Sequence, residues 1–179
     1  MKTPQFAALF GGSGDRKETK EYVETVQIGA LLAKSGFHVK NGGYEGMMEA
    51  VSKGVIDAGG TSIGVTCRQV GPDKGNIFLS QTIVTDTLYE RLKILMEDTS
   101  VFIVQRGGIG TLSEVFLALD IIRKEPLEKQ PKLYFIGVIW ESSISELKRS
   151  LIPEHEHALF NIVPDFAAFK KVFQAHHHS

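Results

Sequence analysis

Three glycine-rich turns, each preceded by an apolar run, constrain the fold of this chain more than any other feature of its sequence. The last of them lies in FIVQRGGIGTLSE at 102–114, where an apolar stretch passes through three glycines to Thr111 and Glu114. That order predicts a strand, a short loop and a helix start. Glycines leave backbone N–H groups unshielded where a helix N-terminus concentrates positive potential, so this turn predicts a site for an anion such as phosphate.

The same arrangement occurs twice earlier in the chain. LFGGSGD at 9–15 and NGGYEGMM at 41–48 follow two further apolar runs. A single glycine turn is also what a chain uses wherever the backbone needs a positive φ. Three such turns after strands of one parallel sheet would meet at the same edge, and this recurrence favours a ligand site there.

Strand-like and helix-like segments alternate through the rest of the chain. This alternation predicts an α/β fold with a Rossmann-like, doubly wound, mainly parallel sheet and helices on both faces. A long aperiodic loop at 67–81 is typical of a lid. The predicted strands are 5–10, 37–40, 61–66, 82–84, 101–104 and 133–139, and the predicted helices run from a cap at Asp15 and Glu18 to about Lys34 and then over 46–58, 87–98, 111–124, 142–151 and 165–174.

Length and composition indicate one globular domain. Of the 179 residues, 42% are hydrophobic and 23% are charged, and we expect a single nucleotide-binding domain over 1–175 followed by a tag remnant at 176–179. The net charge of −1 with scattered basic residues disfavours nucleic acid and membrane partners and favours a small molecule. Cys67 is the single cysteine, which excludes a disulfide framework, and without a leader or span-length apolar run the predicted location is the cytoplasm.

Common cofactor and metal motifs are incomplete. A dinucleotide fingerprint needs a third glycine where Lys17 stands and an acidic residue where the second strand ends at Lys40 and Asn41. His155 and His157 lack cysteine or carboxylate partners at metal-ligand spacing. We therefore expect neither a cofactor nor a metal.

Two charged residues near the third turn have competing interpretations. The spacing of Thr111 and Glu114 fits a capping box, in which the carboxylate only satisfies an N-terminal N–H. Arg91, in the preceding helix, fits a solvated helix face. The alternative for both is a role in a ligand site, and the chemistry of the residues leaves the choice open.

A family resemblance favours the ligand site. RGGIGTLSE at 106–114 closely resembles the P-G-G-x-G-T-x-x-E signature of the Lonely Guy family of nucleoside 5′-monophosphate phosphoribohydrolases, and YERLKILM at 89–96 resembles the helix that carries the family's catalytic arginine. The segment 41–60 is similar to its G-G-G-x-x-G-L-M region, and LFGGSGD to its first loop. The likeness covers about 5–140. The wider superfamily includes molybdenum-cofactor carriers and proteins labelled putative lysine decarboxylases.

The resemblance implies hydrolysis of the N-glycosidic bond of AMP or a cytokinin-like nucleotide to free base and ribose 5-phosphate. The alternative is a non-catalytic nucleotide or molybdenum-cofactor-type carrier or sensor. A homodimer is also implied, and the apolar run VFLALDII at 115–122 agrees with it. By the same resemblance the catalytic pair is Arg91 and Glu114, the phosphate-binding residues are Gly107, Gly108, Gly110 and Thr111, and the rest of the nucleotide is bound by Gly12, Ser13, Gly42, Gly43, Gly46 and Met47.

Four positions depart from the family pattern. Arg106 replaces the proline of the signature, and Asn41 replaces the first glycine of the second loop. Leu92 stands for the usual lysine and Ser113 for a common glutamate. These changes concern the stiffness of the turn and the choice of substrate, whereas both implied catalytic residues are present.

Overall fold

The computed structural model of the protein describes residues 4–14 and 17–177, and these form one seven-stranded sheet with helices on both faces. None of the described helices is long and apolar enough to cross a membrane. The strands are β1 Gln5–Phe10, β2 Phe37–Asn41, β3 Ser62–Cys67, β4 Gln81–Thr85, β5 Thr99–Val104, β6 Lys132–Ile136 and β7 Asn161–Val163. The helices are α1 Lys20–Lys34, α2 Met47–Asp57, α3 Leu88–Met96, α4 Ile109–Ile122, α5 Val138–Ser150 and α6 Phe166–His177, with short 3₁₀ turns at Leu127–Lys129 and Glu154–Leu159.

The sheet is parallel throughout and has the order β4-β3-β2-β1-β5-β6-β7. The chain starts in the centre, builds one half outward through β4, and then returns to pair β5 with β1. The loops after β1 and β5 therefore leave the sheet on opposite faces at a topological switch point, where open α/β sheets bind ligands. The predicted doubly wound fold is confirmed.

Two apolar cores cover the two faces of the sheet. The first joins α1, α2 and α6 to the sheet around Ile28, Val51 and Phe169, which are fully buried. The second joins α3, α4 and α5 to the opposite face around Phe102 and Val115. Because both faces are covered, most residues of the central strands are buried, as is typical of parallel sheets.

Glycines allow α1 and α2 to pack closely. A Cβ atom on Gly54 of α2 would lie 1.9 Å from the carbonyl oxygen of Val26 on α1, and one on Gly29 would lie 2.3 Å from the carbonyl oxygen of Val51. The two helix backbones thus touch without intervening side chains. This contact fixes the position of α2, whose first turn reaches the ligand edge of the sheet.

The elements differ from the predicted ones mainly at their ends. The predicted cap at Asp15 lies outside the described residues, and α1 starts at Lys20 with the Thr19 side chain accepting from the N–H of Tyr22. Strand β6 ends at Ile136 because Gly137, with a φ of 120°, turns the chain directly into α5. Strand β7, which is only three residues long and pairs with β6, was not predicted from the sequence.

The last helix continues beyond its predicted end. It includes His176 and His177, two of the residues assigned to a tag. The ring of His176 lies with its Nδ1 atom 2.7 Å from the hydroxyl of Tyr134. His178 and Ser179 lie outside the described residues.

The α1–α2 contact gives a prediction for stability. Gly54→Ala forces the two helices apart, and we expect it to lower the free energy of unfolding by about 1–3 kcal/mol, as overpacking does. The matched control is Gly110→Ala, also in a helix, where a Cβ atom has no neighbour within 4 Å. Urea denaturation measures both variants, and equal stability of the two would contradict the close contact.

Candidate functional site

The three glycine turns meet at the ligand edge of the sheet, and Gly12 joins them. Its N–H donates to the carbonyl oxygen of Arg106 in the β5 turn at 2.8 Å. Its own carbonyl accepts from the N–H of Met47, at the start of α2, at 2.9 Å. Two backbone hydrogen bonds therefore hold the first turn against the other two.

A cleft of about 1020 Å³ opens beside these turns. This volume is at the upper end of the range for small-molecule sites. Within the described residues, no group of three or more His, Cys, Asp or Glu side chains is placed to hold a metal ion. The cleft brings together seven of the residues predicted for the site: Gly12, Ser13, Arg91, Gly108, Gly110, Thr111 and Glu114.

Helix α4 presents an uncapped N-terminus to the cleft. It begins at Ile109, with Gly108 as its N-cap and no side chain bonded to its first-turn amides. The capping-box interpretation of Thr111 and Glu114 is therefore wrong, because both residues lie inside the helix. First-turn amides without a partner, at the positive end of the helix dipole, are suited to a phosphate.

Gly107 keeps this turn close to the first one. A Cβ atom at Gly107 would lie 2.0 Å from Oγ1 of Thr111 and 3.0 Å from the backbone nitrogen of Gly12. Any larger residue would push the two turns apart. Gly107 is half-buried behind the cleft rather than on its wall, so its contact with phosphate stays a prediction.

Glu114 is a buried carboxyl group on the cleft wall. It is 8% exposed, and no described residue forms a hydrogen bond to its carboxylate. Burial raises its pKa from an ordinary 4.5 to about 7, while the charge of Arg91 lowers it in part. A carboxyl group with a pKa near neutrality exchanges protons easily at physiological pH, as a general acid or base must.

Arg91 is fixed by the backbone of two strand ends. Its Nε atom donates to the carbonyl of Val65 at 2.9 Å, and its Nη2 atom donates to the carbonyl of Gly42 at 3.0 Å. The guanidinium group lies 5.6 Å from the ring centre of Tyr44. Since Arg91 is only 9% exposed, its interpretation as a solvated helix charge is wrong.

The glycines of the second turn lie behind the cleft, whereas Tyr44 and Glu45 of the same turn line it. Gly42, Gly43, Gly46 and Met47 are buried and do not line its wall. A Cβ atom on Gly42 would stand 2.0 Å from Nη2 of Arg91, so this glycine leaves room for the guanidinium group. The structure thus gives these four residues a supporting position, and their direct contact with a nucleotide stays a prediction.

Asn41 shows how one departure from the family pattern is accommodated. Its side-chain oxygen accepts from the N–H of Gly43 at 2.8 Å, and its Nδ2 atom donates to the hydroxyl of Ser52 at 2.9 Å. The side chain therefore holds the second turn in shape from within.

Several residues of the cleft were missed by the sequence analysis. The predicted lid contributes Val70 and Ile77, and Asn76 ties it to the second turn by donating to the carbonyl of Tyr44 at 2.9 Å. Lys17 and Glu49 also line the cleft. No motif marks these positions; the position of Glu49 in the first turn of α2 was the available signal.

A protein family model covers the part of the chain that forms most of the cleft. The model of the SLOG cluster4 family matches residues 6–125, which include all three turns, Arg91 and Glu114. The chain belongs to the SLOG cluster4 family. The resemblance to Lonely Guy proteins is confirmed by this match together with the relatives that follow.

Relatives of this SLOG chain include two named phosphoribohydrolases. A cytokinin riboside 5′-monophosphate phosphoribohydrolase of Mycobacterium tuberculosis is 36% identical over 50% of this chain and 49% of its own length. A probable enzyme of that name from Oryza sativa is 32% identical over 60% of this chain and 44% of its own. The chain thus spans about half the length of these named relatives. An uncharacterized Archaeoglobus fulgidus protein is 34% identical over 66% of this chain and 76% of its own.

Solved structures with the same fold include molybdenum-cofactor proteins. The molybdenum cofactor binding protein of Rippkaea orientalis has a TM-score of 0.74 and 22% identity, and covers 98% of both chains. The molybdenum cofactor carrier protein of Chlamydomonas reinhardtii has a TM-score of 0.72 and 25% identity, over 97% of this chain and 98% of its own. At these identities the likeness establishes the fold.

The raised pKa of Glu114 predicts how stability depends on pH. Below its ordinary pKa the carboxyl group is protonated in both states, and as pH rises towards 7 only the unfolded chain releases the proton freely. The stability that this difference gives is present below about pH 4.5 and is lost as pH rises through about 7. Glu114→Gln has no carboxyl proton to release, so its stability does not fall in this way. We therefore expect its free energy of unfolding to rise by about 3 kcal/mol relative to wild type between those pH values.

Denaturant unfolding at pH 4.5, 6 and 8 measures this effect. Glu45→Gln is the matched control, because Glu45 lines the same cleft but is exposed. Parallel pH profiles for wild type and Glu114→Gln would contradict the burial of the charge.

Proposed function

We propose that this protein hydrolyses the N-glycosidic bond of a nucleoside 5′-monophosphate, AMP or a cytokinin-like nucleotide, to free base and ribose 5-phosphate. The observation that carries the proposal is the position of Glu114. A buried carboxyl group with a pKa of about 7 lies in the same cleft as an uncapped helix N-terminus and a buried arginine. The carboxyl group suits the glycosidic carbon, the helix N-terminus suits the phosphate, and the arginine suits the departing base.

Helix α4 orients the nucleotide in this proposal. The backbone amides of its N-cap Gly108 and of Gly110 and Thr111 in its first turn bind the 5′-phosphate. Glu114 follows Gly110 by four residues, which is about one helical turn. A phosphate at the end of the helix thereby brings the ribose to the carboxylate.

The reaction then follows from the charge of the groups. Ionised Glu114 takes a proton from water, whose oxygen bonds to C1′ while the bond from C1′ to the base nitrogen breaks. The electron pair leaves with the base, whose nitrogen takes up the proton from Glu114 and so returns the carboxylate to its ionised form. The ribose passes through an oxocarbenium-like state that a carboxylate stabilises. Arg91 favours the ionised form of Glu114 and supplies positive charge as the base departs.

The named relatives support this proposal. Two phosphoribohydrolases share about a third of their residues with this chain over the matched part. The family match includes both Arg91 and Glu114. The lid residues Val70 and Ile77, which are 51% and 80% exposed, offer apolar surface for a base.

The direct test is detection of free base. Wild-type protein and Glu114→Gln are incubated with a panel of nucleoside monophosphates, and the products are separated by chromatography. Because the amide keeps the shape of the carboxyl group but cannot accept the proton of water, we expect base release to fall at least about a hundredfold. Glu45→Gln, at the exposed carboxylate of the same cleft, should retain wild-type turnover.

Two results would contradict this proposal, the first at the role of Glu114 and the second at hydrolysis itself. Equal turnover in wild type and Glu114→Gln would remove Glu114 from the mechanism. Absence of base release from every monophosphate, with nucleotide binding retained, would favour a carrier or sensor. That second candidate is supported by the molybdenum-cofactor proteins, which match this chain over almost its whole length.

We further propose that the protein forms a homodimer through α3 and α4. Large apolar side chains on these helices are exposed: Tyr89 by 85%, Ile109 by 82% and Phe116 by 44%. The proposal joins these side chains in one interface, because contiguous exposed apolar surface is typical of an interface. Light scattering after size exclusion should give twice the chain mass of 19.7 kDa, and Phe116→Glu should weaken the dimer. A mass of one chain at micromolar concentration would contradict this proposal.

A further inference from the structure

A buried hydrogen-bonded carboxylate holds a lysine at the wall of the cleft. The hydroxyl of Tyr22, on α1, donates to Oε1 of Glu49, on α2, at 2.9 Å. The Nζ atom of Lys17 lies 2.7 Å from the same oxygen. Lys17 follows the first glycine turn closely in sequence, so this ion pair lies beside the turn that joins the other two.

Burial divides the three residues into an anchor and an exposed group. Tyr22 is 4% exposed and Glu49 8% exposed, whereas 65% of the Lys17 side chain is accessible. The hydrogen bond to Glu49 raises the pKa of Lys17, which is therefore an ammonium group at neutral pH. An ammonium group has three N–H donors, and donation to Glu49 leaves the others available to a ligand.

The cleft otherwise provides few cationic N–H donors that are held in position for a phosphate. The guanidinium group of Arg91 is bonded to two backbone carbonyls. The N-terminus of α4 is equivalent to about half a unit charge. Lys74 also lines the cleft, but no described residue forms an ion pair with it or a hydrogen bond to its side chain. Lys17 is the lysine of the cleft whose position is fixed by a buried partner.

We propose that Lys17, positioned by Glu49 and Tyr22, binds the phosphate group of the nucleotide. This inference rests on the proposed function for the identity of the ligand. Lys17 is the contacting residue, and Glu49 and Tyr22 act through it as positioning residues. The Lys17 ammonium group, whose charge Glu49 partly neutralises, then adds charge-assisted N–H donors to the backbone amides of α4.

The test compares ligands with and without a phosphate. Isothermal titration calorimetry gives the Kd of AMP and of adenosine for wild type and for Lys17→Met. Loss of a charge-assisted hydrogen bond should weaken AMP binding about tenfold or more, and adenosine binding should stay within twofold. The matched control is Lys20→Met, since Lys20 is 72% exposed and pairs with Glu24 on α1 away from the cleft.

The positioning role is tested by Glu49→Gln and Tyr22→Phe. We expect each to weaken AMP binding less than Lys17→Met does, and to have no further effect when Lys17 is already methionine. A purely structural role would weaken AMP and adenosine equally and would persist in the double variants. Melting temperatures of all variants show whether the fold is retained.

Kinetics separates this inference from the proposed function. If the protein hydrolyses AMP, the loss in Lys17→Met should fall on KM more than on kcat. If no base is released, the calorimetric comparison still decides the role of Lys17. Wild-type AMP affinity in Lys17→Met, or no binding of AMP to wild type, would overturn the inference.

Discussion

The site depends on the backbone of Gly12. Its N–H and its carbonyl hold the turn after β1 against the turn after β5 and against the start of α2. Glycine is needed around this point because a side chain at Gly46 or Gly107 would collide with the first turn: a Cβ atom at Gly46 would lie 2.4 Å from the carbonyl oxygen of Gly12. The N-termini of α2 and α4 can therefore approach the same cleft.

Burial then gives the cleft its chemistry. Arg91 is held by the carbonyls of Val65 and Gly42, which belong to two different strand ends. Desolvation disfavours the ionised form of Glu114 and the charge of Arg91 favours it, and the balance leaves the pKa of Glu114 at about 7. On another wall, Glu49 is bonded to both Tyr22 and Lys17. Two buried carboxyl groups of one cleft thus have different partners and suit different roles.

The alternation of apolar runs and glycine turns was sufficient to predict the first six strands along the chain and the edge of the sheet at which the glycine turns meet. Local spacing was insufficient to decide the role of Thr111 and Glu114. The same spacing fits a capping box that begins at Thr111 and a helix that already begins at Ile109, two residues before Thr111. The burial of Arg91 was equally invisible, since its partners are backbone carbonyls distant in sequence. Lys17 and Glu49 come together only through the packing of α1 on α2, which no local pattern encodes.

Burial in this cleft raises the pKa of Glu114 to a value at which a carboxyl group transfers protons near neutral pH. The most direct measurement is an NMR titration of the ¹³C-labelled side-chain carboxyl groups, with the Glu114 signal assigned by its loss in Glu114→Gln. We expect a midpoint at about pH 7. A midpoint at the ordinary glutamate value of 4.5 would contradict this tuning by burial.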